Sequence, residues 1–213
     1  MQIPQTIRIR CTLLDEMLGT NSGDPDVHRE FIASKSADAE KVKEELATLH
    51  AEELEEKSKT VFSRDAGGNP VIWDYQIRGF LKEAMTALLQ LEEKEVRIGK
   101  KKLSPYTCRG VVDSFIFVYP RMIKLSQGVG ADCIRPLRAE TMRGERVSLA
   151  TSETVPAGTT FECEIKMLSP ALEPWIMAAL EYGADKGLGQ WRNSGKGSFS
   201  FELLEPSSGG EVG

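Results

Sequence analysis

Histidine and cysteine are scarce in this 213-residue sequence: there are two of the first, His28 and His50, and four of the second. Cys11, Cys108, Cys133 and Cys163 lie far apart and form no CxxC, which excludes both a zinc-ribbon ligand set and a disulfide scaffold. They read as reduced core thiols. No Ser-His-Asp set, metal-ligand spacing or pair of catalytic carboxylates stands out, so no cofactor and no metal is expected. Long apolar runs are missing too. Nothing approaches the roughly 20 residues that span a bilayer, and the N-terminal MQIPQTIRIRC has no apolar signal core. The expectation is a cytoplasmic protein with no membrane partner. The third absence is an excess of positive charge. With 27 Lys and Arg against 32 Asp and Glu, the net charge is −5, which argues against coating nucleic acid by bulk electrostatics.

What is present is ordinary for a soluble domain: 40% hydrophobic and 28% charged residues. The length fits one domain over residues 1–204 with an insertion at about 20–75, leaving 205–213 as a disordered tail. Charge is unevenly spread. Residues 35–60 hold eight Asp or Glu against five Lys, a local net of −3, and read as a solvated surface helix. Basic surface is confined to RIGKKKLSPYTCR (97–109) and to the glycine-rich segment near the end.

TIRIRCTLL (6–14) alternates strictly and predicts a half-buried strand with Ile7, Ile9, Cys11 and Leu13 inward. TVFSRDAGGNPVIWDY predicts a hairpin turning at Ala66-Gly67-Gly68-Asn69. The period then changes. Ile77, Phe80, Leu81, Ala84, Met85 and Leu88 share one helical face, with Arg78, Lys82 and Glu83 outward. VVDSFIFVYP (111–120) reads as a buried strand. TTFECEIKML (159–168) alternates again through Phe161, Cys163, Ile165 and Met167, and SPALEPWIMAALEYG reads as a helix stopped by Gly183. GSFSFELL (197–204) closes the series with Phe199, Phe201 and Leu203 inward.

Stripped of insertions, the order is strand, helix, strand, strand, helix, strand. That is the βαββαβ plan of the α+β ferredoxin-like sandwich, an antiparallel sheet with two helices on one face. A charged helical insertion follows the first strand. The first strand is expected between the third and the fourth. The open face then shows Arg8 and Arg10 beside Glu162, Glu164 and Lys166 on one neighbour and Ser198, Ser200 and Glu202 on the other. No aromatic residue is expected there, so any nucleic acid must be gripped by loops.

GLGQWRNSGKGSF (187–199) spends glycine heavily just before a strand, at roughly 0.5–1 kcal/mol each against alanine in regular structure. It is not a Walker A loop: Gly195-Lys196 is followed by Gly197 and the segment joins a helix to a strand. One reading is a long loop with Trp191 in the core. The other is a backbone that approaches a ligand closely, with Arg192, Lys196, Asn193 and exposed amides on phosphate oxygens and Trp191 stacked on a base or ribose.

Three separated stretches carry a family resemblance. GLGQWRNSGKGSF is similar to the glycine-rich loop before the last strand of the RAMP superfamily, the "repeat-associated mysterious proteins" of CRISPR effector complexes. IRGFLKEAM (77–85) resembles that family's "PGSSLKGALR" at the start of the first helix. RVSLATSETVPAGTTFECEI (146–165) is similar to its "vEvlPaGt.F..ei" entry into the third strand. The resemblance implies a ferredoxin-like fold, RNA binding at the glycine loop and first helix, and assembly into a homo-oligomer or multi-subunit complex of antiviral defence. Carried over by position, Arg78, Lys82, Gly187, Gly189, Gln190, Trp191, Arg192, Asn193, Gly195, Lys196 and Gly197 contact single-stranded RNA.

Three functions follow. The first is a non-catalytic RNA-binding subunit of a CRISPR-type ribonucleoprotein. The second is a compact, phage-borne relative that sequesters a small nucleotide signal or inhibits a defence complex. The third is an endoribonuclease. In the family it resembles, some backbone subunits of type III complexes cut target RNA with an aspartate in the loop after the first strand, and GDPDV (23–27) is a loose counterpart. Asp24, Asp26 and His28 are its catalytic candidates; the alternative is that they are turn and N-cap residues.

Overall fold

The computed structural model describes residues 4–22, 59–141 and 144–205. The acidic segment up to residue 58, the candidates Asp24, Asp26 and His28, and the tail from residue 206 lie outside the described residues.

Four strands form the main sheet: β1 (Gln5–Leu13), β2 (Ile116–Tyr119), β3 (Thr160–Met167) and β4 (Phe199–Leu204). All pairings are antiparallel and the order is β4-β1-β3-β2, with the first strand between the third and the fourth as expected. Three helices pair with this sheet in an α+β, ferredoxin-like arrangement: α1 (Asp74–Leu91), α2 (Cys108–Phe115) and α3 (Glu173–Glu181). A long hairpin, Cys133–Thr141 with Gly144–Ser152, stands between β2 and β3.

The core follows the alternation. Ile9, Cys11 and Leu13 on β1 and Phe161, Cys163, Ile165 and Met167 on β3 are buried against Ile77, Phe80, Leu81, Ala84, Met85 and Leu89 of α1. The Phe199 ring meets Phe80 edge-on with centroids 5.2 Å apart, and Phe161 at 6.5 Å. Trp73 N–H donates to the Gln76 side-chain oxygen at 2.7 Å where α1 begins. Cys11, Cys108 and Cys163 are buried free thiols, and burial pushes the Cys163 thiol up to about 12. Cys133 is only half-buried, so it is not the core thiol expected.

The structure departs from three further expectations. The stretch 111–120 is not one buried strand. Cys108, Val111 and Val112 fall at helical spacing and are buried, with Asp113 outside, so α2 takes residues up to Phe115 and only Ile116–Tyr119 is strand, at the sheet edge. In consequence the open face does carry aromatics: Phe117 lies opposite Lys166 and Tyr119 opposite Glu164, and Tyr119 is exposed. Leu203, expected inward, is also exposed, where β4 runs on beyond its buried beginning. The charges of that face are as expected, with Arg10 bridging Glu162 at 2.7 Å and Glu202 at 2.8 Å and Arg8 on Glu162 at 2.9 Å.

The hairpin Ser63–Arg64 to Pro70–Trp73 turns at the expected residues. Asp65 organises the turn by accepting from the Gly67 and Asn69 N–H groups at 2.9 Å, and it faces Lys124 at 3.0 Å. The Asn69 N–H first, then Lys124, hold its carboxyl down to about 2. A depressed carboxylate stabilises the fold above its unfolded value near 3.8 and loses that contribution as pH falls toward 2. Asp65→Asn is therefore expected to lower the melting temperature at pH 7 and to converge on the wild type near pH 2. A melting series across that range checks it; a constant gap would contradict it.

Candidate nucleic-acid interface

The glycine loop is built by crossing over itself. Leu188 N–H donates to the Gly197 carbonyl at 2.8 Å, and Gly197 N–H donates to the Glu16 carbonyl at 2.8 Å. Gly197 has φ 72° and a Cβ there would sit 1.9 Å from the Leu188 carbonyl oxygen. Gly189 lies as close to the short strand Met17–Leu18, with its Cβ position 2.6 Å from the Leu18 carbonyl oxygen. Met17–Leu18 pairs in turn with Thr154–Val155, part of the 146–165 stretch. The loop is thus held against a small sheet, and its glycines at 189 and 197 meet main chain of this protein. Gly195, by contrast, faces open space.

At the loop's tip Trp191 is in the left-handed region, φ 55°, and the residue is 41% exposed. The guanidinium of Arg135, from the long hairpin, lies 5.5 Å from the ring centroid. Arg135 is itself buried and donates to the Gln190 side-chain oxygen at 2.6 Å and to Ser152 Oγ at 3.3 Å. Trp191 is therefore not in the core: one face is backed by a cation and much of the ring meets solvent. A non-glycine residue in this region costs about 1–2 kcal/mol and persists only where its neighbours fix it; Arg135, itself held by Gln190, supplies such a contact.

Beside the loop a cleft of about 550 Å³ opens between α1, α2, the Met17–Leu18 strand and Leu188, Gly189 and Arg192. Met17, Leu18, Phe62, Ile72, Phe80 and Leu188 give it an apolar floor. Three cations from three elements reach its wall: Lys82 on α1, Arg109 on α2 and Arg192 on the loop. Lys82 pairs with Asp113 at 2.5 Å, and Arg192 pairs with Glu83. Arg109 is exposed and has no ion pair among the described residues. Three cations against Glu83 and Asp113 leave the wall one charge positive.

The structure therefore brings Lys82, Gly189 and Arg192 of the expected set to one cleft and leaves others outside its lining. Lys196 sits on Glu16 at 2.9 Å and Asp15 at 3.3 Å, and the Glu16 carboxylate raises its pKa. Arg78 pairs with Asp74 at 3.1 Å one turn back along α1. Gln190 is held by Arg135, Asn193 is exposed in a short 3-10 turn, and Gly187 is buried where the loop crosses. Sequence reasoning misses the wall residues Arg109, Asp113 and Glu83 as members of a site. Only the basic run 97–109 points to Arg109, and the strand reading of 111–120 hides Asp113.

No protein-family model and no curated protein matches the sequence. Among solved structures, a chain of the type III-B Cmr-beta complex bound to cognate target RNA is similar, with a TM-score of 0.48 and 12% identity over 95% of this chain. The present chain spans 59% of that chain's length. A chain of a type IV-B CRISPR complex is similar with a TM-score of 0.47 and 10% identity, over 98% of this chain and 94% of the other. No described helix is long and apolar enough to cross a membrane.

Proposed function

We propose that this chain binds single-stranded RNA without cutting it, as one subunit of a CRISPR-type ribonucleoprotein, and that it holds the phosphate backbone in the cleft between α1, α2 and the glycine loop. The observation that carries the reading is the convergence of Lys82, Arg109 and Arg192 on one cleft wall. Phosphate contacts of this kind position a strand without reading its sequence, and an aromatic at the rim accepts any base. Trp191, partly exposed and next in sequence to Arg192, supplies the aromatic. The RAMP-like motifs at 77–85 and 187–199 support the same pair of elements.

Two of the three cations are already neutralised, by Asp113 and Glu83. RNA must displace or tolerate these carboxylates. Removing a like charge at contact distance is worth about 1 kcal/mol in water, roughly fivefold in affinity. Glu83→Gln with Asp113→Asn is therefore expected to tighten RNA binding by about fivefold per carboxylate at low salt, measured by fluorescence anisotropy. Unchanged or weaker binding would sink the cleft as the RNA site.

A small nucleotide is the second reading, because about 550 Å³ falls within the size of small-molecule pockets. A mononucleotide that raises the melting temperature as much as an oligonucleotide does would favour it over the first.

A further inference from the structure

We infer that the basic hairpin and turn ahead of α2 form a second contact for the same RNA, with Lys100 and Lys101 on phosphates and Tyr106 as a platform for a base. The inference rests on the cleft reading above and extends it along the strand's path.

Residues 97–109 contain Arg97, Lys100, Lys101, Lys102 and Arg109 and no carboxylate. With the whole chain at −5 and this strip at +5, the remaining residues carry −10. Screening confines a charge's reach to about 8–10 Å at physiological salt, so a nearby polyanion meets the strip and not the total. The strip is not used up internally. Glu95 holds Arg97 at 2.7 Å and Lys102 at 3.1 Å. Lys101 lies over the Phe115 ring at 4.9 Å, and Lys100 and Arg109 have no ion pair among the described residues.

The fold anchors this segment without its exposed side chains. Ile98 and Leu103, one from each strand of the hairpin Val96–Ile98 and Lys101–Leu103, are buried in the core. The turn into α2 is tied by Thr107, whose hydroxyl donates to the Lys102 carbonyl at 2.7 Å and accepts from the Ser104 N–H at 3.0 Å. Tyr106, in the middle of that turn, is 96% exposed, so packing accounts for almost none of it. An uncovered phenol ring between lysines and an arginine suits a base stacked above a backbone track. Continuity is the second argument: Arg109, at the end of the strip, lines the cleft itself.

The test compares wild type with Lys100→Ala/Lys101→Ala/Tyr106→Ala on two labelled oligouridylates of ~5 and ~15 nucleotides, within the range single-strand sites cover. The variant is expected to melt like wild type and to bind the short RNA equally. On the long RNA its affinity drops at least about tenfold, and its salt slope falls by about 1.4, about 0.7 for each phosphate no longer neutralised. Tyr106→Phe retains long-RNA affinity if the ring face is what matters. A variant matching wild type on the long RNA overturns this second site while leaving the cleft intact. Failure of wild type to bind either RNA overturns both.

Discussion

Gly197→Ala is expected to destabilise the protein by about 3 kcal/mol or more, whereas Gly195→Ala, two residues away, costs only about 1–2 kcal/mol. Both glycines have positive φ, 72° at Gly197 and 80° at Gly195, so both substitutions carry the left-handed penalty of an L side chain. They differ in what the new methyl meets. At Gly195 nothing lies within 4 Å, while at Gly197 the Leu188 carbonyl oxygen stands at 1.9 Å and its carbon at 2.8 Å. Those atoms are main chain at the loop's own crossing, where Leu188 and Gly197 are hydrogen-bonded. Backbone cannot rotate aside as a flexible side chain can, and the large losses on mutation come from clashes of this sort. Urea denaturation of both variants measures the difference. Equal losses would mean that the crossing is not what holds the loop, and the cleft wall carrying Arg192 would lose its physical basis.

The second large effect is on binding. Lys82→Ala, Arg109→Ala and Arg192→Ala together are expected to weaken RNA binding about a hundredfold at low salt, taking roughly 1 kcal/mol for each phosphate left without its donor. The effect has two parts. Three donors disappear, and Glu83 and Asp113 are left without their partners, which turns the wall from one positive charge to two negative ones. Folding is little affected, because exposed or half-exposed ion pairs are worth about 0–1 kcal/mol each. An unfolded triple variant would mean these side chains serve the fold. A folded variant with unchanged affinity would mean they serve neither.

Much of the architecture is legible because strict alternation admits one reading. β1, β3 and β4 each show in six to nine residues of period two, and α1 in apolar residues at helical spacing. The stretch 111–120 is not legible in this way, since an eight-residue helix running straight into a four-residue strand looks like one apolar run. The consequence spreads: a strand reading there hides Asp113 as the partner of Lys82 and removes Phe117 and Tyr119 from the open face. The site is legible in parts. Lys82, Gly189 and Arg192 stand in recognisable motifs, but the Arg192–Glu83 pair joins residues 109 apart in sequence, and Arg135 reaches Gln190 across 55. No local pattern announces such partners. The glycines give half an answer, since their number announces close approach but not that at 189 and 197 the approaching body is this chain's own backbone.

The claim on which the account turns is that RNA phosphates sit against Lys82, Arg109 and Arg192, and the salt dependence of affinity reads this most directly. Each single-strand phosphate neutralised contributes about 0.7 to the slope of log affinity against log salt. For a short RNA at equal ionic strengths, the triple variant is predicted to show a slope smaller by about 2 than the wild type. Identical slopes in a folded variant would contradict the account and place any RNA elsewhere on the molecule.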